Sequence, residues 1–366
     1  MRINALAAIR AISTATALST LASCSTPPHS PGAGSKSASP AEAPPPTTSA
    51  SDPTTQIRYP NGAVAADSDL ASLAGVEIMQ AGGNAVDAAI ATALTLSVTR
   101  PYSCGLGGGG FMIVFDPASG ESKALDYRET CPAAVGPNYY VELEATASGY
   151  DPSMQGGRSV GVPGQIPGMV AAHETWGTLP LARIVEPAVR AARDGFPVDA
   201  DYLRAVERVR DLRRSHPDLR PISTWLWKNL CGEGRLEIGD SIVQPALAGY
   251  LERFGRQGLI AWSGPYGVAP LVAGADRGAD GDLTDADIRD YEVAWREPLV
   301  VEDVMNDTDA ILMPPPSSGG IAIAQVLQMV DRRRSSFGDP VPGDPRHGEL
   351  LTGALRHAFA DRARHL

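Results

Sequence analysis

The segment Gly105-Leu106-Gly107-Gly108-Gly109-Gly110 is the first part of the chain whose composition can serve chemistry. It matches G-x-G-x-x-G, the pattern that cradles a dinucleotide pyrophosphate at the start of a helix. Order excludes that use. The fingerprint must leave a strand and open a helix, whereas here a helical pattern precedes the glycines and the apolar run Phe111-Met112-Ile113-Val114-Phe115 follows them. Two readings of the glycines stand: backbone packed too tightly for side chains, or a nest of main-chain amides for a ligand. Ser317 and Ser318 offer hydroxyls, but Ser318-Gly319-Gly320 opens a helical pattern as a cap would, and no His–Asp partner accompanies them. Cys24, Cys104, Cys131 and Cys231 form no CxxC and have no histidine at zinc spacing, so no metal site is expected. A disulfide among Cys104, Cys131 and Cys231 is open, with its pairing unassigned.

The elements that must position such groups follow from periodicity and caps. Ser68 to Gln80 reads as a helix with a Ser cap, Asp69 in the first turn and apolar Leu70, Leu73, Ala74 and Ile78, ended by Gly82-Gly83. Asn84 caps a second helix, Ala85 to Val98, with Asp87 favouring the positive end of its dipole; it is apolar on most faces and so predicted buried. Phe111 to Phe115 reads as a buried strand and Ser122 to Tyr127 as its hairpin partner, across the turn 116–120. The turns Pro163-Gly164 and Pro167-Gly168 lead into a helix from about Met169 to Trp176. Leu181 to Arg193 is helical with an interruption at Pro187, and Gly195 ends it. The charged stretch from Asp199 to Arg235 reads as a solvated helical face. Thr284-Asp285-Ala286-Asp287 resembles a capping box, opening a short helix that ends near Tyr291. Strands over Leu299–Val301 and Ala310–Met313, then helices over Ile321–Asp331 and Leu350–Arg364, complete a mixed α and β pattern with antiparallel pairing and no repeat.

The 366 residues, 43% apolar, suffice for a substantial core. A net charge of −11 argues against nucleic acid as a partner, since phosphate contacts need clustered Lys and Arg. The one basic cluster, Arg332-Arg333-Arg334, follows an apolar helical run and reads as a solvated helix end.

The first residues carry Arg2 and Arg10, a mildly apolar stretch Ala11–Ala22, and then Leu21-Ala22-Ser23-Cys24. Positive charge, apolar run and small residues describe a signal peptide over 1–23, and L-A-S-C looks like a lipobox in which Cys24 becomes lipid-modified. An ordinary signal peptide with an incidental Cys24 is the alternative. Residues 24–60 are rich in Pro, Ser, Thr and Ala, too poor in large apolar groups to offset ordering entropy, and read as a disordered tether. The expected location is the outer face of a bacterial membrane, with secretion or the periplasm as the alternative.

Six segments in order, Gly82–Ala89, Gly105–Phe111, Asp126-Tyr127-Arg128-Glu129-Thr130, Val162-Pro163-Gly164 with Pro167-Gly168, Arg296-Glu297-Pro298-Leu299 and Pro314–Gly320, resemble the γ-glutamyltransferase family from about Tyr59 to Leu366. The resemblance implies an α+β fold, the large-subunit part of the αββα four-layer sandwich of amino-terminal-nucleophile hydrolases, over residues 61–366. It implies transfer of a γ-glutamyl group from glutathione or another γ-glutamyl compound to water or an amino acid, with no cofactor. The family cuts itself into two subunits, and the new amino-terminal Thr of the small one is nucleophile, its α-amine the base. Arg128 matches the family's D-x-R-E arginine, which holds the α-carboxylate of the γ-glutamyl group; a guanidinium fork suits a carboxylate. An internal ion pair of Arg128 with Asp126 or Glu129 is the competing use.

The helix motif His357-Ala358-Phe359-Ala360-Asp361-Arg362 matches one that the family places before its nucleophile, and that Thr is expected beyond Leu366. Thr352 lies inside a helical run and cannot replace it. The expectation is a chain inactive and poorly stable without the small subunit. Acylases of β-lactam side chains share the layout. A non-catalytic solute-binding lipoprotein, or a relic without function, are the readings from other classes.

Overall fold

The amide ends of two helices explain how the helical half of the protein is assembled. In the computed structural model, which describes Tyr59 and residues 61–144, 151–275, 281–304, 308–314, 319–337 and 344–365, helix α1 spans Asp69–Gln80 and α2 spans Ala85–Thr99. Residues 1–23, Cys24, most of the 24–60 segment and Ser317–Ser318 lie outside the described residues. Asn84 Oδ1 accepts the amides of Val86 and Asp87 at 2.9 and 3.0 Å, and Asp87 returns a bond to the Asn84 amide at 3.1 Å. That is a complete capping box. Asp87, fully buried, also accepts from the amides of Thr178 and Leu179 and from the Thr178 hydroxyl, so the start of α2 is tied to a loop 91 residues away.

Helix α1 packs on α2 through small residues. Ala71, Ala74 and Gly75 are buried, whereas Leu70 and Leu73, expected on the apolar face, are exposed. The reason is closeness: a Cβ on Gly75 would lie 2.4 Å from Thr92 Oγ1, so only the small side of α1 fits this interface. Ser68 stands at the cap position without a side-chain cap bond.

The hairpin is β1 (Phe111–Asp116) and β2 (Glu121–Asp126), antiparallel with Phe111 opposite Asp126. A third strand, β5 (Ala294–Arg296), joins the other edge of β2, with Ala124 opposite Arg296. Contrary to the buried strand expected at Phe111–Phe115, Ile113 and Phe115 are exposed, because β1 is an edge and only the face carrying Met112, Val114 and Leu125 meets the core.

Between these strands run α3 (Tyr139–Glu144), α4 (Gln165–Trp176), α5 (Leu181–Asp194), β3 (Phe196–Pro197), α6 (Ala200–Ser215), α7 (Leu219–Ile222), α8 (Thr224–Asn229), β4 (Ser241–Ile242), α9 (Pro245–Gln257), α10 (Leu259–Ser263), α11 (Val268–Ala275) and α12 (Asp285–Arg289). Helix α4 starts at Gln165, earlier than the Pro-Gly turns predict. Pro167 falls in its first turn, where a helical amide has no partner to lose. Helix α5 runs through Pro187 without a break; burial of Ile184, Val185, Ala188, Val189 and Ala192 against α2 and α9 outweighs the missing hydrogen bond. Gly195, at φ 92°, ends it. The capping box Thr284/Asp287 is formed and α12 stops at Arg289, short of Tyr291.

A second small core lies under α13 (Gly320–Phe337), where Ala324 and Leu327 cover Val301, Val304 and Leu312 of the hairpin β6 (Leu299–Val304) and β7 (Thr308–Leu312). Helix α13 extends past Asp331, so Arg332 and Arg333 sit, exposed, within its last turns. It packs on α14 (Pro345–His365), whose Asp361 accepts from Gln325 at 3.1 Å; Thr352 lies inside α14. All described strand pairs are antiparallel, and no described helix is long and apolar enough to cross a membrane. Cys104, Cys131 and Cys231 are unpaired, which removes the disulfide left open from sequence.

Candidate functional site around Arg128

Arg128 follows the last residue of β2 by two positions, where the chain leaves the sheet. Three fixed groups hold its backbone. Its amide donates to Asp126 Oδ1 at 3.1 Å, and its carbonyl accepts the Tyr291 hydroxyl at 2.8 Å. Just before it, Tyr127 exchanges both main-chain bonds with Gly110, at 3.0 and 3.2 Å.

Asp126 is itself fixed from the other side. Its Oδ2 takes the Arg296 Nε at 2.7 Å, a diagonal cross-strand pair between β2 and β5 with the carboxylate largely buried. Among the described residues this leaves Asp126 no side-chain pairing with the Arg128 guanidinium. Asp126 pairs with Arg296 through its side chain and with Arg128 only through the backbone amide. Among the described residues no carboxylate pairs with the Arg128 guanidinium, which is exposed and whose Cζ stands 5.9 Å from the Phe111 ring centroid. The strand alternation puts Phe111, Ala124, Asp126 and Arg296 on one face of the sheet, so the arginine leans over the row that ends in the ion pair.

The glycines explain how the 127–130 segment comes so near its neighbours. A Cβ on Gly109 would lie 2.4 Å from the Tyr127 carbonyl oxygen, one on Gly164 2.0 Å from that same atom and 2.3 Å from the Tyr291 hydroxyl, and one on Gly168 2.2 Å from the Tyr127 ring. Gly108, in turn, gives its carbonyl to the amides of Gly164 and Gln165 at 3.0 and 2.9 Å. Of the two uses weighed for the glycine run, close packing is the one the geometry supports: the glycines and the Val162–Gly168 turn clamp Tyr127 and Arg128 between them. Thr130 and Val162 close the clamp with a two-bond antiparallel bridge.

The tyrosines here are held neutral. Burial pushes Tyr127 up to about 12, and Tyr291 is raised by burial and then by the negative Asp126 and Glu129. A neutral Tyr291 keeps its proton for the Arg128 carbonyl. The arrangement therefore presents the Arg128 guanidinium, without an ion-pair partner among the described residues, from a main chain held by hydrogen bonds, and a guanidinium suits a carboxylate. No cluster of His, Cys, Asp and Glu able to hold a metal is found among the described residues. Two members of the site, Tyr291 and Arg296, were not assigned roles from sequence; Arg296 stood within the Arg296-Glu297-Pro298-Leu299 motif, and Tyr291 carried no local signal.

This fold recurs in known proteins. The chain superposes on a Pseudomonas nitroreducens γ-glutamyltranspeptidase complexed with L-DON with a TM-score of 0.71 at 32% identity, covering 84% of this chain and 87% of that one. Helicobacter pylori γ-glutamyltranspeptidase gives 0.73 at 28% identity over 84% and 85%. The fold is thus the α+β amino-terminal-nucleophile hydrolase fold of those enzymes. A family model for γ-glutamyltranspeptidase matches residues 71–366. Glutathione hydrolase proenzymes are 34% identical in Pseudomonas aeruginosa and 33% in Escherichia coli, over 83% and 85% of this chain. The chain belongs to the γ-glutamyltranspeptidase family. It spans about half the length of the curated relatives it matches, 52% and 51% of these two.

Proposed function

We propose that this chain is the large-subunit part of an enzyme that transfers a γ-glutamyl group from glutathione or a related compound to water or an amino acid, and that Arg128 holds the α-carboxylate of that group. The observation that carries the reading is the Arg128 guanidinium itself, exposed and without a carboxylate partner among the described residues, on a backbone fixed by Asp126, Tyr291 and Gly110. A main chain already fixed by hydrogen bonds leaves only the side chain of the arginine to be ordered when it takes a carboxylate.

The nucleophile in this proposal is the amino-terminal Thr of a small subunit made with this chain as one precursor. Its hydroxyl oxygen attacks the γ-carbonyl, its α-amine takes the proton and returns it to the leaving amine, and water or an amino acid then releases the acyl group. The relatives named proenzymes support a precursor of this kind. Ile113 and Phe115 on the edge strand leave apolar area exposed on one face of the sheet, and that subunit is the expected cover. Alone, the 366-residue chain is proposed to be inactive. Cys24 is proposed as the lipid-modified residue that anchors it outside the cell membrane, with residues 1–23 as the signal and 24–60 as the tether.

A neighbouring solved structure, cephalosporin acylase from Bacillus halodurans, has a TM-score of 0.68 at 25% identity, which makes an acylase acting on another acyl group the second reading. The test is to isolate the native protein from the membrane fraction, take intact masses of it and of any co-purifying chain, and assay a γ-glutamyl anilide beside a glutaryl anilide. A second chain beginning with Thr and preference for the γ-glutamyl compound are expected. A single chain that binds a solute without turning it over would instead mean a binding lipoprotein, and a preference for glutaryl would mean an acylase.

A further inference from the structure

Helix α6 carries five arginines, Arg204, Arg208, Arg210, Arg213 and Arg214. Four are engaged: Arg204 with Asp201, Arg214 with Asp211, Arg210 with the Gly234 carbonyl, and Arg213 with the Arg220 carbonyl and Ser223. Arg208 has no such partner among the described residues. Its guanidinium carbon lies 5.9 Å from the Tyr102 ring centroid, at the mouth of a cavity of about 320 Å³.

That cavity is walled by Val206, Val209 and Leu212 of α6 and by Leu226 and Leu230 across from them. Arg208 is the one charged side chain in its lining. Tyr202 donates its hydroxyl to the Leu230 carbonyl at 3.0 Å, and burial pushes the Cys231 thiol up to about 11, so it stays protonated. The Tyr102 hydroxyl is buried in the same wall with no hydrogen-bond partner among the described residues. A mainly apolar hollow with an exposed guanidinium in its lining that makes no ion pair among the described residues complements a molecule with an apolar body and an anionic head. The volume sets the size: at roughly 30 Å³ for each non-hydrogen atom, about ten atoms fit.

We propose that this cavity is a binding site, separate from Arg128, for a small amphiphilic carboxylate whose apolar body fills the hollow and whose carboxylate meets Arg208. Selectivity is for a monoanion over an alcohol or amine of equal length, because only the anion forms charge-assisted, bidentate bonds with the exposed guanidinium, and an amine is repelled by it. An extended alkyl acid and an aryl acid of that size share this chemistry.

Cys231 lines the hollow and reports occupancy. The full chain is alkylated at its thiols in the presence of octanoate, 3-phenylpropanoate, octanol or octylamine, and the rate at Cys231 is read by peptide mass, with exposed Cys131 as the internal control. At ten times its Kd, an acid that binds slows Cys231 about tenfold and leaves Cys131 unchanged. Whichever of the two acids protects more identifies an alkyl or aryl occupant. Arg208→Gln is expected to weaken acid protection about tenfold while octanol protection stays as it was. Val209→Phe, which fills the hollow, is expected to abolish protection by both acids, and serves if the first variant fails to fold. No saturable protection by either acid overturns the proposal, as does equal protection by octylamine or an unchanged acid affinity in Arg208→Gln.

Discussion

The hydroxyl of Tyr291 donates to the carbonyl of Arg128 at 2.8 Å across 163 residues of sequence, one of the three contacts, with Asp126 and Gly110, that hold the backbone of the candidate substrate arginine. Gly164 packs so closely against the Tyr127 carbonyl and the Tyr291 hydroxyl that any side chain there would overlap both. The phenol thus helps set the backbone from which the guanidinium reaches out.

Tyr291→Phe removes that bond and nothing else of size. In the complete two-subunit enzyme of the proposed function, KM for a γ-glutamyl donor should rise about three- to tenfold, with kcat changed less, since one neutral hydrogen bond is worth about 1 kcal/mol. Steady-state kinetics at varied donor concentration checks this; an unchanged KM would mean that Arg128 needs no such brace.

Asp126→Ala should destabilise the protein by about 2–3 kcal/mol, because it strands Arg296 and the Arg128 amide together. Arg296 is 35% exposed at its side chain, which lowers the figure from that of a fully buried pair. Urea unfolding measures it. Arg296→Ala alone should cost less than Asp126→Ala, since Asp126 would keep the Arg128 amide.

Gly164→Ala places a methyl 2.0 Å from the Tyr127 carbonyl oxygen. The backbone must move, so loss of 2 kcal/mol or more in stability, by about the measure of overpacked cores, and a displaced Arg128 are expected. Thermal unfolding together with donor KM tells the two effects apart.

Acid should loosen the helical half. Asp199 is partly buried, which raises its pKa, but the Tyr202 amide and the Arg100 guanidinium outweigh that and hold it low; Asp287 is held low in the same way by Thr284 and the Ala133 amide. A depressed carboxyl contributes stability that is complete above its unfolded pKa, about 4, and lost as pH falls through the folded value. Stability should therefore be level from pH 6 to about 5 with respect to these groups and decline below about 4, and Asp199→Asn should flatten that decline.

How far these relations were legible in the sequence follows from their range. Asn84 with Asp87 and Thr284 with Asp287 are bonds between neighbours three apart, so both caps could be read directly. The hairpin of β1 and β2 was equally local. The Asp126–Arg296 pair spans 170 residues and had no local signal; the competing use weighed for Arg128, an ion pair with Asp126 or Glu129, is not made among the described residues. Leu70 and Leu73 misled for a related reason: periodicity finds an apolar stripe, but the buried face of α1 is Ala71, Ala74, Gly75 and Ile78, and α2 comes closest at the small residues. Pro187 was read as a break because its local cost is visible and the packing of α5 between α2 and α9 is not. Motif order located Arg128, while the groups that hold it came only with the fold.

The central claim is that Arg128 grips the γ-glutamyl carboxylate, and the most direct test compares γ-glutamyl release by the native preparation with that of Arg128→Ala made in the same way. The account predicts release by the wild type, a loss of about a hundredfold or more in kcat/KM in the variant, and an unfolding temperature that stays put, because an exposed, unpaired guanidinium contributes little to stability. Release by Arg128→Ala at the wild-type rate would contradict it, and so would a native preparation, small subunit present, that releases no γ-glutamyl group at all.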